Sequence, residues 1–237
     1  MTDSSFGRLG AVLAAPGRTF EAIDRRPTWV VALVVVILAA IGLGVAVHQR
    51  TDYRETMEHA LAKSSAELSS SQIDRTVELQ ERFGALFAVL GGAVGAGFMV
   101  IVALIIWVIL RLFGSEVDFR RCLSVYLYGS LPVVLMMLLA IPLVLSGGTL
   151  SFDQLATRNF LASNLAFLAP PDAGIAVRSA LAGVDFFALW SVVLTAIGYR
   201  LVAKVSPAVA WGVVLLVWLV GLGLRVGLTV LSAGGAG

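Results

Sequence analysis

The sequence predicts an all-α fold, a polytopic membrane helix bundle of five transmembrane helices with short interfacial amphipathic helices, and three observations carry that expectation. Stretches beginning near Trp29, Ala85, Ser124, Val184 and Ala208 are each apolar for long enough to cross a bilayer, whose hydrocarbon core of about 30 Å takes about 20 helical residues. Hydrophobic residues make up 59% of the 237 and charged ones only 14%, against about 25% charged in soluble chains. Backbone in lipid must satisfy its own N–H and C=O groups, which leaves the helix as the spanning form for these runs.

Residues 1–28 form a cytoplasmic interfacial segment in this reading. Phe6, Leu9, Leu13, Phe20 and Ile23 recur at near-helical spacing, interrupted by Pro16-Gly17 and mixed with Arg8, Arg18, Arg25 and Arg26, so two short helices lying on the membrane surface are expected. The first apolar run, Trp29 to Val47, starts later and runs longer than the 7 to 15 residue core of a signal peptide. His48 to Arg82 is the long hydrophilic segment, expected outside the cytoplasm. Ser71 with Asp74 resembles a capping box opening a helix, which continues through Ile73, Val77 and Gln80 without Gly or Pro into the second span.

The second span, 85–113, exceeds a vertical crossing, so tilt or protrusion is expected. Gly91 and Gly95 head a series of small residues that let backbones approach closely. They mark a seam for a partner chain or, as small residues more often do, for packing inside the protein. An interfacial turn or short helix over Gly114 to Leu123 leads to the third span, 124–146. Pro132 in its interior removes a donor and crowds the carbonyl four residues earlier, predicting a kink near Gly129 to Leu131. Such a break can line a transport path, although kinks filled by neighbouring helices are commoner. Gly147 to Gly183 is a mixed loop with an amphipathic piece at Phe160, Leu161, Leu165 and Leu168, ended by Pro170-Pro171. The fourth and fifth spans, 184–201 and 208–231, are joined so briefly that they are expected to be antiparallel neighbours.

Lysine and arginine placement orients the chain. Arg8, Arg18, Arg25 and Arg26 precede the first span, Arg111, Arg120 and Arg121 lie between the second and third, and Arg200 and Lys204 between the fourth and fifth. The other side has Arg158, Arg178 and the segment after span one, with five basic and seven acidic residues. A cytoplasmic N-terminus and an extracytoplasmic C-terminus follow. Within the spans, Asp185 and Arg225 are the costly residues, and charges inside a membrane are candidates for function. On antiparallel helices both reach the same outer depth, where they either form an ion pair or snorkel separately to the headgroups.

No cofactor or metal is called for. His48 and His59 lack ligand spacing, Cys122 is the single cysteine, and a net charge of +2 without a basic stripe gives no footing for nucleic acid. Neither Ser191 nor Asp185 has a base or second carboxylate that would make an intramembrane enzyme.

The order of pieces resembles bacterial members of the Yip1 domain family. The residues that carry the likeness are Ala15-Pro16-Gly17-Arg18-Thr19-Phe20-Glu21-Ala22-Ile23 with Arg26-Pro27-Thr28-Trp29, then Val117-Asp118-Phe119-Arg120-Arg121 leading to Tyr128-Gly129-Ser130-Leu131-Pro132. Val184-Asp185-Phe186-Phe187-Ala188-Leu189-Trp190, with Gly198 ahead of Ser206, completes it. The resemblance implies that 29–237 is a Yip1-like five-helix domain without catalytic residues, seated in the bacterial cytoplasmic membrane. It further implies an accessory or assembly protein for other membrane machinery, such as an ABC-type export system. The eukaryotic relatives, which act in vesicle traffic with small GTPases, carry a longer N-terminal region than this chain's. The implied partners are the lipid bilayer and another membrane protein or complex, with a second copy of the chain as a further candidate. A small-solute or ion transporter or channel is the competing class, although five spans do not divide into equal inverted halves.

Overall fold

The computed structural model describes residues 4–62 and 69–232, and among these the regular elements are all helices, with one isolated β-bridge besides. In chain order the helices are α1 (Ser5–Ala14), α2 (Pro16–Arg25), α3 (Val30–Gln49), α4 (Tyr53–Ala62), α5 (Ser70–Leu112), α6 (Phe119–Gly129), α7 (Leu131–Ser146), α8 (Phe152–Thr157), α9 (Ile175–Gly183), α10 (Phe186–Val202) and α11 (Pro207–Ser232). Four helical stretches are long and apolar enough to cross a membrane: α3, α5, α6 with α7, and α11. The fifth apolar helix, α10, is shorter at 17 residues, or about 25 Å at 1.5 Å per residue. Large apolar side chains on these helices face outward, with Val94 72% and Leu228 65% exposed. A protein dissolved in water rarely presents so much contiguous grease, whereas hydrocarbon accepts it.

The chain divides into two compact units. The first gathers residues 1–39, 93–136 and 187–220. Ser4 caps α1 by accepting from the Gly7 amide at 3.1 Å, and Pro16 opens α2 at a position where its missing N–H costs nothing. The two N-terminal helices expected on the membrane surface are present, with part of their apolar face covered by protein and Phe6 left 72% exposed. They pack on each other and on α6, and Val12, Phe20 and Ile23 are 0% exposed, each worth about 1.5–3 kcal/mol of burial. A polar tie holds them down. Arg8, 4% exposed, donates to the Arg26 carbonyl at 2.7 Å and the Thr28 hydroxyl at 3.1 Å. The buried Tyr128 hydroxyl donates to the Ser5 carbonyl at 3.2 Å and lies 3.3 Å from Thr28 Oγ1.

The expected kink falls at Ser130, which separates α6 from α7. Pro132 occupies the first turn of α7, so the amide it lacks is one that a helix start leaves unbonded in any case. Ser130 closes α6 by donating its amide to Tyr126 O at 3.0 Å and opens α7 by accepting from Val133 at the same distance. Gly129 permits a close approach there, because a Cβ built on it would lie 3.0 Å from Thr195 Cα.

The second unit gathers residues 40–92, 137–186 and 221–237. It holds the first part of the 43-residue α5, a helix about 65 Å long that begins in the hydrophilic segment, runs unbroken into the second span as expected, and from residue 93 onward belongs to the first unit. Its capping box is Ser69 with Gln72 rather than Ser71 with Asp74. The Gln72 amide donates to Ser69 Oγ at 3.4 Å while Gln72 Oε1 accepts from the Ser69 amide at 2.9 Å. Small residues line the buried side of α5 in this unit. Gly84 has the His48 ring directly against it, and Ala88 lies 3.0 Å from where a Cβ on Gly44 would stand. The loop expected over Gly147 to Gly183 contains two further helices, α8 with a Ser151 and Gln154 capping box and α9, with a single 3₁₀ turn at Leu165–Leu168 between them.

Candidate functional site

Asp185 and Arg225 both belong to the second unit, at the centre of a polar cluster built from the 147–183 segment, the start of α10 and the end of α11. Asp185 is 5% exposed. Its backbone pairs with Asn164 in an isolated antiparallel bridge, in which the Phe186 amide donates to Ser163 O at 2.9 Å and the Leu165 amide to Val184 O at 3.2 Å. That bridge brings the Ser163 hydroxyl to the Asp185 carboxylate, to which it donates. Asn164 is fixed in turn by its own side-chain amide, which donates to Asn159 Oδ1 at 2.8 Å. Arg225 sends its guanidinium to the Thr157 carbonyl at the end of α8. The charges of both Arg158 and Asp185 reach Arg225, while its guanidinium hydrogen bond goes to Thr157. One helical turn on, Thr229 returns its hydroxyl to the Arg225 carbonyl at 2.9 Å and meets the fully buried Ser179 of α9 at 3.1 Å. The cluster therefore fastens α8, α9 and the bridge to α11.

Gly91 and Gly95 lie on the opposite kind of surface. Both are exposed, and a Cβ on either would meet nothing within 4 Å. Internal packing on α5 is served by a different set spaced at four residues, Gly84, Gly92 and Ala96, all buried, with Ala88 half-buried between the first two. The helix thus carries two small-residue stripes, one turned inward and one outward. Pro132 is not part of either, being fully buried in the first unit.

The first unit holds a cleft of about 610 Å³ that sequence reading did not find. It lies where the α5–α6 turn meets the α10–α11 connector, with Asp24 and Arg121 on its wall. Gly114, at φ 81°, turns the chain after α5, and the Ser115 hydroxyl pins that turn to the connector by donating to Ala203 O at 2.7 Å. Arg121 donates through Nε to the Asp24 carbonyl at 2.8 Å and pairs with the carboxylates of Asp24, at 3.2 Å, and Asp118. The connector places Lys204 at φ 54°, in the left-handed region that a side chain with a Cβ occupies at a cost. Turn-forming Gly114-Ser115 and Ser206-Pro207 were visible in the sequence, but nothing in it says that they meet.

Elsewhere in the first unit, Cys122 is buried with its thiol 3.5 Å from both Ala103 O and Tyr199 Oη. Ser191 Oγ is buried without a hydrogen-bond partner among the described residues, so no base is in place to activate it. Among the described residues no three His, Cys, Asp or Glu side chains gather as a metal site. The side chain of His59 lies outside the described residues.

The profile of the Yip1 domain family matches residues 10–228. The membrane protein YknW of Bacillus subtilis is 29% identical over 204 residues, covering 86% of this chain and 81% of that protein. No solved structure matches the chain.

Proposed function

We propose that this chain, which belongs to the Yip1 domain family, is a non-enzymatic accessory or assembly subunit for other membrane machinery, with an ABC-type export system as the candidate client. The observation that carries this reading is the outward stripe of α5. Gly91 and Gly95 are open to the lipid side with nothing within 4 Å of a Cβ, on a helix whose own packing needs are met by Gly84, Gly92 and Ala96 on the other side. Glycine in a lipid-facing helix gives up helix propensity, about 1 kcal/mol each against alanine, and a neighbouring helix that needs close backbone approach recovers that loss. The competing transporter reading would draw on the break at Ser130, but the buried Pro132 beside it supports a packed joint rather than a lined path.

In this reading the chain sits in the bacterial cytoplasmic membrane with its N-terminus in the cytoplasm and its C-terminus outside, as the lysine and arginine distribution favours. Asp185 and Arg225 act as an intramembrane charge pair that need not touch, setting the 147–183 segment against α11 at the outer surface. The test is purification of the tagged full chain in mild detergent followed by identification of copurifying chains. Recovery of subunits of one membrane complex is the expected result. Solute or ion flux in vesicles containing this protein alone, with no copurifying complex, would replace the proposal with the transporter reading.

A further inference from the structure

The cleft of the first unit has walls of known charge, and two of its groups are left over. Arg121 is engaged by Asp24 and Asp118, so its charge is met within the protein. Lys204 and Glu116 line the same cleft, both exposed, and neither forms an ion pair among the described residues. An isolated anion would meet Glu116 as a repulsion, and an isolated cation would meet Lys204 the same way. A zwitterion carries an opposite charge for each.

The surroundings say where such a zwitterion comes from. The cleft is edged by Phe113, the residue that follows α5, and by Val209 in the first turn of α11, at the ends of two helices long and apolar enough to span a membrane. Phe113 at its lip is 61% exposed and Leu112 beside it 81%, a surface for acyl chains. Trp107 donates its indole N–H to Val117 O at 2.9 Å with Arg111 stacked above the ring, the arrangement of side chains that sit at a headgroup boundary. The volume of about 610 Å³ falls within the usual range for small-molecule sites.

We propose that this cleft seats the phosphoethanolamine headgroup of a membrane lipid, with Lys204 on the phosphate and Glu116 on the ammonium. The strained backbone of Lys204 fits a residue kept for its ammonium group, since glycine would occupy φ 54° without strain.

The experiment uses the full chain in mild detergent, delipidated and then offered phosphatidylethanolamine, phosphatidylcholine and phosphatidylglycerol of identical acyl chains, with retention read by native mass spectrometry. Phosphatidylethanolamine should be retained about tenfold over either of the others, the scale of one charge-assisted hydrogen bond. Choline keeps the charge but has no N–H to give Glu116, and glycerol has no cation. Glu116→Gln should bring phosphatidylethanolamine down to the level of phosphatidylglycerol. Lys204→Gly should lower retention of all three lipids while the melting temperature holds or rises, because the substitution relieves the backbone; a loss of lipid therefore cannot be mistaken for misfolding. Equal retention of the three lipids, or retention unchanged in both variants, overturns the proposal. So does displacement of the lipid by free phosphoethanolamine at equal concentration, which would place the ligand in solution.

Discussion

Gly198 of α10 lies against Phe20 of α2: a Cβ built on the glycine would stand 2.9 Å from Phe20 Cε1 and 2.6 Å from Val125 Cγ1. Neither neighbour has room to retreat, since both are 0% exposed. Gly198→Ala should therefore lower stability by about 1–3 kcal/mol, the cost of overpacking a filled interior. Thermal unfolding in detergent, followed by circular dichroism, measures it. An unchanged melting temperature would mean that α2 is not held on α10 as described.

The outward glycines of α5 should behave in the opposite way. Gly91→Leu and Gly95→Leu place side chains in open space, so the isolated chain should melt within about 0.5 kcal/mol of the parent, while recovery of a copurifying complex falls sharply. Gly84→Leu, which drives into the His48 ring, is the contrast and should unfold the protein. Were Gly91→Leu to destabilise the isolated chain as much as Gly84→Leu, the outward stripe would be internal packing and the partner seam would be lost.

Much of this architecture can be read from the chain because hydrocarbon leaves few choices. An apolar run of sufficient length must be a helix, so the runs beginning at Trp29, Val184 and Ala208 locate the starts of α3, α10 and α11 within two residues, the run from Ala85 falls inside the longer α5, the run from Ser124 covers the second half of α6 together with α7, and Pro132 locates the joint at Ser130. What covers a face is harder to read. Phe20 and Ile23 present the same periodic stripe to lipid as to protein, so burial against α6 was not distinguishable from rest on a membrane. The capping pattern places the start of α5 two residues late because Ser69, Ser70 and Ser71 all suit a cap, and the choice is made by which donors Gln72 Oε1 can reach, the Ser69 amide and hydroxyl. The cleft was invisible for a different reason: Asp24, Ser115 and Lys204 are far apart in sequence, and no local pattern encodes their meeting.

The polar cluster of the second unit separates hydrogen bonding from charge. Arg225→Ala removes a charged donor from the Thr157 carbonyl and should cost about 1.5–3 kcal/mol. Asp185→Asn keeps an acceptor for the Ser163 hydroxyl and should cost less. If the two charges act on each other, a double-mutant cycle with Asp185→Asn and Arg225→Gln should return a coupling of about 0.5–1 kcal/mol. Strict additivity of the two losses in detergent melts would show that each residue serves only its own loop contact.

Tyr53 gives the chain an alkaline limit at the junction of α3 and α4. Its hydroxyl shares a hydrogen bond of 2.7 Å with His48 Nδ1, and partial burial, with the Glu81 carboxylate nearby, holds the phenol above its ordinary value of 10.0. The folded state thus keeps the Tyr53 proton at pH values where the unfolded chain has released it. The stability this contributes is complete below pH 10 and is lost as the pH climbs through the raised folded value. Tyr53→Phe gives up the bond to His48, a loss of about 1 kcal/mol at neutral pH, but has no proton to lose. The gap between parent and variant should therefore be widest at neutral pH and narrow as the medium becomes alkaline beyond pH 10. Melting curves of the two proteins in the same detergent across that range provide the measurement, and a gap that stays constant or widens would show that the Tyr53 proton is not held by the fold.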